Sequence, residues 1–154
     1  MNKRYLVSKI LLADGIVLIT LGFVHLVSTP LAGKWLSGQL TEAVMRDISH
    51  TYFLEHVTVG ILLISFGVST LFSAVGVRAG QFWARSIALT NGLTILLLPL
   101  LVVLIMGSRY FDSPVYLVAA VVVVMIGLSM LLPLLWLRDS NRPGATHHSP
   151  PHVP

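Results

Sequence analysis

Asp14, His25, Glu55 and His56 are ionisable side chains that fall within long apolar stretches of this chain of 154 residues. Such groups are expensive in apolar surroundings, so each is a candidate for function. His25 falls about one turn before the end of the first stretch. Glu55 and His56 fall about one turn inside the start of the second. If the two stretches are antiparallel helices, all three reach one level, with His50 just above them. Two neutral imidazoles on neighbouring helices could supply both axial bonds of a b-type haem, with His25 and His56 as the ligands. With Glu55 added, His25, Glu55 and His56 could instead ligate a transition-metal ion through nitrogen and oxygen. A quinone-like lipophilic ligand is a third fit for such a patch. Two single histidines carry no spacing signature, so the plainer expectation is that they bond to water, lipid headgroups or each other.

Glu55 beside His25 could also exchange protons, as acid–base chemistry on a lipid-soluble substrate requires. The plainer alternative is a Glu55–His25 hydrogen bond that pins the first helix to the second. Asp14 and Asn91 define a second polar level, each about 13 Å in from the other end of its helix. Asp14 and His25 share one face of the first helix within about 20°, roughly 16 Å apart along the axis. Thr90 and Thr94 flank Asn91, and Ser129 reaches a similar depth from the last stretch. On the second helix Thr51, Glu55, Thr58, Ser65 and Ser69 fall within about 80° of one another and are expected to face the interior. His56 points about 100° away from Glu55, beside Gly60, and His50 about 140° to the other side.

The elements that position these residues follow from composition. The chain is 55% hydrophobic and 10% charged, against roughly 25% charged in a soluble domain. So few charges cannot cover a water-soluble protein, and so much hydrophobicity excludes disorder. Apolar runs at about 6–27, 53–77, 82–106 and 115–137 are each long enough to cross a bilayer, which takes about 20 residues. The expected fold is an all-α integral membrane protein, an up-down-up-down bundle of four transmembrane helices spanning residues 1–138. Within the loop 28–52, Leu36, Leu40, Val44 and Ile48 form one helical stripe, and Glu42 and Arg46 an i,i+4 pair. This predicts an external amphipathic helix over about 36–51, anchored by Trp35; nothing breaks 41–59, so it could continue into the second span. Residues 139–154 read as a disordered polar tail, whose His147, His148 and His152 could bind a metal weakly.

Orientation follows from the cations. Lys3, Arg4, Lys9, Arg78, Arg85, Arg138 and Arg142 fall on one side, and Lys34, Arg46 and Arg109 on the other. The expectation is a multi-pass protein of the cell membrane with both termini in the cytoplasm. Asp14 inside the first run, with Pro30 near the one small-residue site, argues for a retained helix rather than a cleaved signal peptide. Aromatic residues from Tyr5 to Trp136, Tyr52 among them, cluster near the helix ends as an interfacial belt does.

The net charge of +4 points to headgroups and topology rather than to nucleic acid. The lack of cysteine excludes thiol redox chemistry, iron–sulfur clusters and thiolate metal sites. Phosphate-loop, zincin, nucleophile-elbow and dinucleotide motifs are absent. Gly60, Gly67, Gly92 and Gly127 would permit close helix packing, within the bundle or against a membrane-protein partner or a second copy. An accessory subunit without chemistry of its own is therefore the alternative to a ligand-binding protein.

Overall fold

The computed structural model describes residues 3–107 and 114–139. The loop carrying Arg109, Tyr110 and Phe111, and the tail 140–154, lie outside the described residues. Those described form four helices: α1 (Lys3–Ser37), α2 (Glu42–Arg78), α3 (Phe82–Met106) and α4 (Pro114–Asp139), with short turns between α1 and α2 and between α2 and α3. Each contains a stretch long and apolar enough to cross a membrane. The fold is thus all-α, and four such helices are compatible with a multi-pass membrane protein.

The segment expected to form a separate amphipathic helix at 36–51 is divided differently. It comprises the end of α1, a turn at 38–41 and the first turns of α2, which continues unbroken to Arg78. Pro30 lies inside α1 without ending it. At 1.5 Å per residue, α1 and α2 are each longer than about 50 Å, against about 38 Å for α3 and α4.

The helices are level at the end where α2 turns into α3. There Gly80 takes φ 78°, the Gly80 amide bonds the Val77 carbonyl, and the Gln81 amide bonds the Gly76 carbonyl. This is a Schellman stop, in which the residue at positive φ needs to be glycine. At the same end Lys3 lies 4.4 Å over the Trp136 ring, and Arg85 Nη2 donates to the Leu134 carbonyl at 3.0 Å. The extra length of α1 and α2 therefore projects at the opposite end.

Burial follows this asymmetry. The core is made by Val7, Leu11 and Leu18 of α1, Ala74 and Val77 of α2, Ala84, Ala88 and Ile95 of α3, and Ile126, Met130, Leu134 and Leu137 of α4. All lie toward the level end. Elsewhere the outward surface is apolar, with Phe72, Leu104, Ile105 and Val118 more than 60% exposed. Patches of this extent suit lipid rather than water.

Along α1 and α2, residue numbers rise on one helix as they fall on the other. A Cβ built on Gly15 would come within 2.9 Å of the Gly67 carbonyl oxygen, and one on Gly22 within 2.7 Å of the Gly60 carbonyl oxygen. Only hydrogen at these positions permits the approach. Gly92 likewise faces Met130 and Leu131, and Gly127 faces Leu96. These glycines thus serve contacts within the chain.

Candidate functional site

The glycine contacts decide which side chains of α2 meet α1. His56 lies within about 40° of Gly60 and about 20° of Gly67 on the helical wheel, whereas Glu55 lies about 100° from His56. The face carrying His56 therefore turns inward. The His25 and His56 rings stack with centroids 4.8 Å apart and planes 17° from parallel. Tyr52, one turn before His56, completes the cluster. Its ring lies 4.2 Å from the His56 ring, and its hydroxyl is 3.2 Å from His56 Nε2. His25 Nε2 is buried and has no hydrogen-bond partner.

This cluster lies about 33 Å from the level end along α1, close to the full length of α3 and α4. On one side the exposed residues next in sequence are apolar, Val24, Val27 and Val57 among them, and on the other Tyr52 borders the exposed polar residues Thr51 and Glu55. The rings therefore sit between α1 and α2 toward the end at which that pair projects.

The stripe expected to face the interior does not do so over most of its length. Thr51, Glu55, Thr58 and Ser65 are exposed, and only at Ser69, with the neighbouring Thr70 and Ser73, does a polar face of α2 enter the bundle. Small residues let the backbones of α1 and α2 meet, and that contact outweighs the polar stripe. The outward hydroxyl of Ser65 is satisfied locally, donating to the Ile61 carbonyl at 2.9 Å. Glu55 lines an open surface depression with Asp47, Thr51 and Tyr52. Tyr52 thus stands between the stacked histidines and Glu55. His50 is exposed.

The second polar level lies among all four helices. Asp14 is 8% exposed and Asn91 6% exposed. The Ser129 hydroxyl of α4 lies 2.7 Å from Asp14 Oδ1 and 2.9 Å from the Ile126 carbonyl, both within hydrogen-bond distance, while Asp14 Oδ2 is buried without a partner. Asn91 Nδ2 donates to Ser69 Oγ at 2.6 Å and Thr70 Oγ1 at 3.1 Å. Arg85, read from sequence as a topology charge, has its Nε buried and unpartnered. From sequence Tyr52 is one of the belt aromatics. Its i,i+4 spacing from His56 was the signal for its role.

The geometry tests the ligand classes. Haem axial ligands aim their nitrogens at the iron from opposite faces of the porphyrin, with metal–nitrogen bonds of about 2 Å. Rings stacked face to face leave no slot for a macrocycle, so His25 and His56 in this arrangement do not fit haem. Among the described residues no three of His, Asp and Glu converge as a metal ion would need, and the set His25, Glu55 and His56 is not assembled. What the cluster does offer is aromatic surface, a Tyr hydroxyl and an imidazole nitrogen with unused hydrogen-bonding capacity. The chain matches no protein family, no curated protein and no solved structure.

Proposed function

We propose that this chain crosses the membrane four times, up-down-up-down, with both termini cytoplasmic and the α1–α2 tip outside. In this reading the Tyr52–His25–His56 cluster sits near the outer membrane face. There it holds a lipophilic ligand with a hydrogen-bonding head, of quinone-like chemistry. The observation that carries the reading is His25 Nε2, buried without a partner in a pair of stacked rings. A buried polar atom left unsatisfied costs about 1–3 kcal/mol, which a ligand carbonyl would relieve. Stacked rings beside exposed apolar residues suit a flat head delivered from lipid.

The reading assigns binding and no bond-breaking step. Acid–base chemistry by Glu55 with His25 has less support, because His25 meets the face of α2 that carries His56, and Glu55 lies about 100° away from it. Titration of the protein in lipid nanodiscs with a short-chain benzoquinone, comparing wild type with His25→Phe, tests the proposal.

A further inference from the structure

Ser129 has one hydroxyl proton and two acceptors within reach, Asp14 Oδ1 at 2.7 Å and the Ile126 carbonyl at 2.9 Å. Two full hydrogen bonds in that arrangement need a second proton. From this geometry we infer that Asp14 is a proton-binding site at the α1–α4 seam. Its acid form donates from Oδ1 to Ser129 Oγ, and the Ser129 hydroxyl then donates to the Ile126 carbonyl.

In this form Asp14 Oδ2 is the carbonyl oxygen of a neutral acid. A lone buried C=O is far easier to tolerate than half of an unpaired anion. Loss of the proton turns the Ser129 hydroxyl from its own helix toward Asp14. Proton occupancy thus sets the direction of the bond between α1 and α4, and makes or breaks the Ser129 bond within α4.

The other titratable groups stand well away. On α1, Lys9 is exposed and lies 4.7 Å over the Tyr5 ring, while His25 is about 16 Å along the helix. On α2 no titratable residue lies between Gly60 and Val77. On α4 the described residues between Leu117 and Leu137 contain none. On α3 the sole candidate is Arg85, held on the Leu134 carbonyl of α4. Among the described residues Arg85 is thus the one interior cation against which a charged Asp14 would have to balance. The inference does not depend on the histidine cluster.

Infrared spectra of the full-length protein in lipid at neutral pH test it. The expected result is a carboxylic-acid C=O band that shifts on exchange into D2O and vanishes in Asp14→Asn. In Ser129→Ala the band should move toward that of an acid lacking its acceptor. This second variant keeps the test decisive if Asp14→Asn does not fold. If no acid band responds to either substitution, Asp14 is a carboxylate and the inference fails. A band present only when Arg85 is replaced by Gln would overturn it equally, by showing that Arg85 holds Asp14 charged.

Discussion

His25 and His56, 31 positions apart in sequence, lie with their rings nearly parallel and their centroids 4.8 Å apart. The contact requires α1 and α2 to approach through Gly22 and Gly60, one turn away on each helix. The packing of small residues and the candidate site are therefore one structural feature.

That link predicts the effect of adding side chains at the glycines. Gly22→Val and Gly67→Val force apart backbones that a single Cβ already meets below 3.0 Å. Each should destabilise the protein by about 1–3 kcal/mol, as overpacking does. Gly38→Ala should change stability by less than about 0.5 kcal/mol, as an exposed substitution. Its Cβ would meet no atom closer than 3.4 Å. Denaturation in mild detergent compares the three.

Separating ring contact from hydrogen bonding is possible at His25. His25→Phe keeps an aromatic face against His56 and should cost less than about 1 kcal/mol, whereas His25→Ala should cost about 1–2 kcal/mol through the lost pair and the space left behind. Equal stability of the two variants would show that the stack contributes little.

The stacked geometry also predicts an optical result. Protein purified gently, without added cofactor, should show no Soret band, because face-to-face imidazoles cannot clasp a porphyrin. A stoichiometric haem with His25 and His56 as its ligands would require α1 and α2 to part, and would contradict the arrangement described.

At the second polar level, Asn91→Ala removes two hydrogen bonds from α3 to α2. Polar contacts between membrane helices average about 0.6 kcal/mol and reach about 1.7 kcal/mol. The expected loss lies in that range, measured by unfolding in detergent. A loss near zero would make Asn91 a bystander.

Four membrane-length helices were legible in the sequence, because an apolar run of about 20 residues leaves few other structures open. The level of His25 and His56 was legible too, since each lies about one turn from the same side of its apolar run and the rise per residue is fixed. The inward face of α2 was not. The sequence holds two competing stripes, one polar through Glu55 and Ser65, the other of small residues through Gly60 and Gly67. In water burial of apolar surface would arbitrate, but lipid offers little such drive, and close backbone contact decides instead. Choosing the polar stripe placed Glu55 with His25 and overlooked Tyr52. The run of α2 from Glu42 into the apolar span was legible as an open course, since no glycine or proline interrupts 41–59, whereas the extension of α1 past Pro30 to Ser37 was not.

The proposed orientation has its own check. A cysteine placed at Ser37 should react with an impermeant reagent added to intact cells, and one placed at Ala79 should react only after lysis. The reverse pattern would put the histidine cluster on the cytoplasmic side.

The central claim is that the cluster of Tyr52, His25 and His56 binds a lipophilic ligand with a polar head. Tryptophan-fluorescence titration of nanodisc-embedded protein with a short-chain benzoquinone tests it most directly. Saturable binding to wild type is expected, weakened about tenfold in His25→Phe, the equivalent of about 1.4 kcal/mol. Binding that does not saturate, or that is equal in wild type and His25→Phe, would contradict it.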